Sequence, residues 1–227
     1  MPIRAFLFDM DGLLIDTEDV HMRAFAATAT KHGVSMRPEE FRRWIGIASP
    51  VTCDWLAERA VTKRTSQEIL MDEQVEFQRI LESERPRPLP GVREMLEHTE
   101  TQGLRRGLVS STIYPQVVMT MRVVLGHLGR SETLEHTFHA TVTGDRVDNH
   151  KPHPEPYEKA AKALGLATSE CLVFEDSPAG AQAGRAAGCK VVAIPNLYLQ
   201  PEMVAPHAHK SFRTLAEAFA ARVWESF

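Results

Sequence analysis

The sequence predicts an α/β protein, a doubly wound, Rossmann-like parallel sheet interrupted once by a small all-helical insertion. Three observations lead there. Short apolar runs recur along the chain, each ending in polar or small residues and passing into a helical pattern, as buried parallel strands and their crossover helices do. After the first run, a long stretch has helical periodicity and no strand-like run. A proline-rich segment closes that stretch and returns the chain to the alternating pattern.

The first strand is read at Ala5–Phe8, and it ends abruptly in Asp9 and Asp11, one residue apart. Where a strand ends, both acids can turn into a crevice at the carboxyl edge of the sheet. Their repulsion has to be offset there, and a hard divalent cation such as Mg²⁺ suits two carboxylates. The helical insertion follows: Met22, Phe25, Ala26 and Ala29, then Phe41, Trp44 and Ile45, then Trp55 and Leu56, then residues 69–81. Gly33, Pro38, Gly46 and Pro50 divide it, and residues 85–91, Arg-Pro-Arg-Pro-Leu-Pro-Gly, form a stiff return linker. The expected domains are therefore 1–15 with 90–227, and 16–89.

A second strand is read at 107–109, followed by Ser110-Ser111-Thr112 and a helix beginning near Pro115. Hydroxyls and free backbone N–H groups at a strand-to-helix turn suit an anionic oxygen, and equally a helix cap. Lys151 stands just before prolines that preset a helix start, a point cation in a polar loop. A third strand at 172–174 runs into Glu175-Asp176, with Ser177 as helix cap and Pro178 in the first helical position. One acid there could complement the helix dipole; two are harder to explain so. Gly180, Gly184 and Gly188 give that helix a small face for close packing, and a fourth strand is read at 191–194. Asp9, Ser110 and Asp176 each lie just past a strand end, so distant segments converge on one crevice.

The remaining composition excludes several classes. With 26 basic and 30 acidic residues, the net charge of −4 argues against a general nucleic-acid or anionic-membrane binder. The apolar start is too short for a signal-peptide core or a membrane span. The three cysteines have no paired spacing, which fits neither a disulfide framework nor a zinc site and suits a reducing cytoplasm.

Acid-x-acid, hydroxyl, lysine and acidic pair, in that order and each at its element boundary, resemble the motifs of the haloacid dehalogenase superfamily. Asp9, Asp11 and Gly12 match the first motif, Ser110 the second, Lys151 the third, and Glu175 with Asp176 the fourth. The insertion is similar to the family's α-helical cap domain. The stretches around Asp9 and Glu175 are similar to the helical-cap sugar-phosphate phosphatases and β-phosphoglucomutase. The resemblance implies a monomeric, cytoplasmic Mg²⁺-dependent phosphatase acting on a small phosphorylated metabolite, a sugar, polyol or nucleoside monophosphate.

It further implies that Asp9 attacks phosphorus to form an aspartyl phosphate and that Asp11 serves as general acid and then base. Mg²⁺ would sit on Asp9, the backbone carbonyl of Asp11 and Asp176, with Glu175 adding to the set through water or from behind. Ser110, Ser111 and Lys151 would hold the phosphoryl oxygens; Thr17, His21 and Gly46 are the remaining substrate-side positions. The alternative is a β-phosphoglucomutase-like mutase, which needs a cap cation for a second phosphate. Here His21 matches the mutase's early cap histidine, but Ser49 stands where the mutase has arginine, and the later cap segment at 71–76 is acidic. A phosphonate hydrolase would need a cap lysine, for which only Lys31 and Lys63 offer themselves, and a binding module without activity would be expected to lack one of the motif residues.

Overall fold

In the computed structural model, which describes residues 2–37, 40, 43, 44, 47 and 49–227, the strands form one parallel sheet. They are β1 (Ala5–Phe8), β2 (Arg105–Val109), β3 (Ala140–Val142), β4 (Cys171–Glu175), β5 (Lys190–Ala193) and β6 (Lys210–Ser211), in the order β3-β2-β1-β4-β5-β6. The order reverses direction between β1 and β4, which opens a crevice beyond their carboxyl ends. Register sets what meets there. Phe8 pairs with Leu108 on one side and Phe174 on the other, so Asp9 and Glu175 emerge side by side with Ser110 one residue further on at the neighbouring strand end.

Alternation along the central strands supplies both faces of the core. Phe6, Phe8 and Phe174 point into one apolar cluster, with Phe8 stacked on Phe174 at 5.4 Å and Phe6 edge-on to Phe174 at 5.2 Å. Leu7, Val173 and Val191 point into the other, under helices α7 (Glu155–Ala163) and α8 (Pro178–Ala186). Each buried phenylalanine contributes about 1.5–3 kcal/mol by leaving water. The remaining core helices are α4 (Val92–Thr101), α5 (Tyr114–His127), α6 (Leu134–Thr137), α9 (Pro201–Val204) and α10 (Leu215–Ala220).

Between β1 and α4 lie α1 (Glu18–Lys31), α2 (Ser49–Ala57) and α3 (Ser66–Glu84), which share an apolar cluster of their own built on Met22, Phe25, Cys53, Leu56 and Ile69. Gly33, at φ 77°, follows the end of α1, and α3 starts with a capping box in which Thr65 accepts from the Glu68 N–H. The two passages between this layer and the sheet run side by side: Leu89 donates its N–H to the carbonyl of Leu14 at 3.0 Å, and Ile15 bridges Pro88.

The structure lengthens the strands read at 107–109 and 172–174 and moves the one read at 191–194 back by a residue. It also adds β3 and β6, too short to form apolar runs. Phe41, Ile45, Pro38 and Gly46, all used in the sequence reading, lie outside the described residues.

Candidate active site

The residues just past β1 form a tight loop in which the Gly12 N–H donates to the Ile15 carbonyl and the Leu14 N–H to the Met10 carbonyl, both at 2.9 Å. Gly12 is at φ 78°, and a Cβ there would overlap the Asp176 carboxylate and press on Asn196. Glycine is thus demanded twice, by the turn and by its neighbour.

Lys151 closes the sheet side of the crevice. Its ammonium donates to Asp9 Oδ1 at 2.6 Å, to Glu175 Oε1 at 2.5 Å and to the Val109 carbonyl at 3.0 Å. Glu175 is also committed to other partners. Its Oε1 accepts from the Tyr157 hydroxyl at 2.6 Å, and its Oε2 from the Asp176 and Ser177 N–H groups and the Ser177 hydroxyl at 3.1–3.2 Å. The missing Cβ of Gly180 makes room for this carboxylate, so the first glycine of the small face serves the site as well as the packing. Asp176 accepts from the Asn196 amide at 2.6 Å.

One oxygen from each of Asp9, Glu175 and Asp176 lies within 4.8 Å of the others. Burial pushes the carboxyl of Asp9 well up despite Lys151, with Glu175 and Asp11 adding to the push. Burial, then the charges of Asp9 and Glu175, do the same to Asp176. Burial opposes the charge on Lys151, but its two carboxylates outweigh that and hold it further toward the ammonium form. One lysine among several buried acids leaves negative charge uncompensated, and the donors are all hard oxygens. The residues fit a divalent ion such as Mg²⁺.

Asp11 lives in a different setting. Thr17 donates to its Oδ1, and Thr112 and Ser110 donate to its Oδ2 at 2.8 and 3.3 Å. His21 Nε2 stands 3.6 Å from Oδ1. Burial would raise this carboxyl, but His21 and the threonine hydroxyls outweigh it and hold it below the usual range. For His21 itself, burial favours the neutral ring, yet Asp11 and Glu73 facing its nitrogens raise it to about 10. Burial lifts Glu18, at the start of α1, to about 7.

The structure therefore brings together Asp9, Asp11, Thr17, His21, Ser110, Ser111, Lys151, Glu175 and Asp176 around one cleft, while Gly46 lies outside the described residues. Trp44, Ile47 and Ser49 face them from the helical layer, leaving a cavity of about 40 Å³, room for a few water molecules. Sequence reasoning missed several members. Thr112 sat in the hydroxyl turn but was not singled out; Tyr157, Asn196, Gln116 and Glu73 carry no local signal, because only the fold delivers them.

Comparison with known proteins points the same way. A family model described as haloacid dehalogenase-like hydrolase matches residues 6–194. Hexitol phosphatase A of Escherichia coli is 33% identical over 195 residues, 86% of this chain and 84% of that protein. A phosphorylated carbohydrates phosphatase of Thermotoga maritima is 33% identical over 186 residues, 82% of each. Among solved structures, CbbY from Rhodobacter sphaeroides in complex with phosphate superposes with a TM-score of 0.82 at 25% identity, covering 95% of this chain and 96% of that one.

Proposed function

The chain belongs to the haloacid dehalogenase-like hydrolases, and from that premise we propose how it works as a phosphoric monoester hydrolase on small sugar- or polyol-type phosphates. The observation that carries the reading is the division of labour between Asp9, buried beside Lys151 and Asp176, and Asp11, held apart from them by hydroxyls and His21. One carboxylate is placed to attack and the other to move protons.

In this reading an Asp9 oxygen attacks phosphorus while the bond to the leaving oxygen breaks, giving an aspartyl phosphate. Asp11, which would take up a proton as the substrate's phosphate brings negative charge beside it, hands that proton to the leaving alkoxide, then takes one from the water that attacks phosphorus and releases phosphate from Asp9. His21 and Thr17 both address Oδ1 of Asp11, whereas among the described residues Oδ2 meets Ser110 and Thr112, whose hydroxyls rotate to donate or accept. The travelling proton therefore belongs on Oδ2. Lys151 holds transferring oxygens as charge shifts onto them, and Glu175 with Tyr157 keeps that lysine in place. Asp9, the Asp11 carbonyl and Asp176 would hold Mg²⁺, with Glu175 supporting the set. The ion supplies charge neutralisation between a carboxylate nucleophile and a phosphate dianion.

We further propose that 16–89 is a cap over a core formed by 1–15 and 90–227. The separate apolar cluster of α1–α3 and the paired passages at Leu14 and Leu89 support this. Trp44, Ile47 and Ser49 of the helical layer face Asp9 and Asp176 across the cleft, so movement of this layer would admit substrate and then exclude water. The reading as a cytoplasmic protein is supported by free, buried cysteines, and no described helix is long and apolar enough to cross a membrane. Among the described residues lining the cleft, the cations are Lys151 and His21, so none of these beyond the catalytic set offers a mutase's second phosphate an anchor; Lys31, one of the two phosphonate-type candidates, is held by Asp72 at 2.6 Å.

The test is a phosphate-release screen over sugar, polyol and nucleoside monophosphates with Mg²⁺, the parent beside Asp9→Asn. Release by the parent and none by the variant is the expected result. Full hydrolysis by Asp9→Asn sinks the nucleophile assignment, and interconversion of glucose 1- and 6-phosphates with little phosphate release favours the mutase.

A further inference from the structure

Behind His21 lies a buried polar chain that the mechanism above does not use. On α3, Glu73 is fully buried; its Oε2 accepts from the Gln116 side-chain amide on α5 at 2.8 Å, across the contact between the helical layer and the sheet's own helices. Its Oε1 lies 3.5 Å from Nδ1 of His21. One turn further along α3, Phe77 stacks on the His21 ring at 4.4 Å. Asp11, His21, Glu73 and Gln116 thus form a line from the reacting oxygens to a core helix.

The line is incompletely bonded. His21 Nε2, Glu73 Oε1 and Gln116 Oε1 are buried with no hydrogen-bond partner among the described residues. Buried polar groups left short of partners cost stability, and apolar residues of similar volume would fill this space without that cost. A carboxylate can only accept, so the ring nitrogen facing Glu73 has to carry a hydrogen, which fixes the orientation of the imidazole. That orientation aims Nε2 at Oδ1 of Asp11.

We propose that Glu73 is a positioning residue for proton transfer at Asp11: anchored by Gln116, it holds His21 against Oδ1 so that Oδ2 delivers the proton to the leaving oxygen. This rests on the phosphatase reading above. In the step concerned, the bond from Asp9 to phosphorus forms, the bond from phosphorus to the leaving oxygen breaks, and the proton on Asp11 passes to that oxygen. Glu73 and His21 neither gain nor lose a proton in it. Because Glu73 and Gln116 stand on different layers, the arrangement is complete only when α3 rests on α5, so proton transfer is tied to closure.

Leaving-group dependence tests this, since an alkoxide needs protonation and p-nitrophenolate departs without it. The value of kcat/KM covers the steps through alcohol release, so it reads this transfer alone. Glu73→Gln, nearly isosteric, is expected to lower kcat/KM for glycerol phosphate about tenfold to a hundredfold while changing that for p-nitrophenyl phosphate less than about threefold. Glu73→Asp should recover part of the loss on glycerol phosphate. If Glu73→Gln does not fold, Gln116→Leu, which frees Glu73 from its anchor, should show the same selectivity between the two substrates. Equal losses on both substrates, or no loss on either, overturn the proposal and leave Glu73 a structural acid. A parent that releases phosphate from neither substrate sinks the phosphatase reading itself and this proposal with it.

Discussion

On the sheet side of the cleft, Lys151 closes on Asp9 and Glu175 at 2.6 and 2.5 Å, and Glu175 has donors on both oxygens. On the helix side, His21 stands 3.6 and 3.5 Å from Asp11 and Glu73, with buried atoms left unpartnered. Both sides are buried and charged, yet only one is finished. The sheet side grows from strands locked in register, so its groups can be placed once and kept there. The helix side is assembled across the contact between α3 and α5, and on the proposed cap reading bonds made too well there would hold it shut. That reading assigns fixed electrostatics and movable proton chemistry to different parts of the chain.

The sharpest way to break this contrast is at Asp9. Asp9→Asn should lower phosphate release about ten-thousandfold, because removing a nucleophile removes the pathway rather than a contact. Next comes Lys151→Met, which keeps the volume and strands two buried carboxylates without their cation. Denaturant unfolding in the absence of metal should show a loss of about 3–5 kcal/mol. A loss near zero would mean that the sheet side is not the tightly coupled cluster described. Magnesium at a hundred times its Kd should stabilise the parent by about 2.7 kcal/mol, read as a rise in Tm that a chelator reverses. Asp176→Asn should remove that rise and Glu73→Gln should keep it; loss of the rise in both would erase the distinction between the two sides.

A smaller effect is confined to the helical layer. Thr65→Ala removes the cap that accepts from the Glu68 N–H and should cost about 1 kcal/mol without altering the magnesium response. The smallest comes from a charged cluster remote from the cleft, a control for both sides. There the forked Arg130 contact to Glu100, at 2.6 and 2.9 Å, outweighs burial and, with Arg106, holds Glu100 down to about 2. A carboxyl lowered on folding stabilises the protein above its unfolded value near pH 4.3, and that contribution disappears as pH falls toward 2. Glu100→Gln should flatten the fall in Tm over this window, with or without magnesium.

The same contrast explains what the sequence could disclose. Asp9, Ser110 and Glu175 follow apolar runs, so register alone predicts that they meet, and the central strands are unmistakable because both of their faces are buried. β3 and β6 escape notice, being three and two residues long at the sheet edges. Gln116, Tyr157 and Asn196 reach the site only through helix packing or a long loop, and nothing next to them in sequence marks them. Glu73 is the instructive case. In the chain it belongs to an acidic stretch noted only for lacking a cation, and in the fold it is the one member of that stretch with no exposure at all.

The position of β1 has a consequence for how the chain is made. Ala5 pairs with Arg105 and with Cys171, so the strand that presents Asp9 is synthesised long before β4 and acquires its second neighbour only when β4 appears. At about 5–20 residues per second, that interval is of the order of ten seconds or more. Throughout it, an apolar strand lacks one of its edges and is open to pairing with another chain. Truncation before β4 should therefore yield aggregate rather than a smaller folded unit, and the yield of native protein should depend on chaperones during synthesis more than on any property of the finished site.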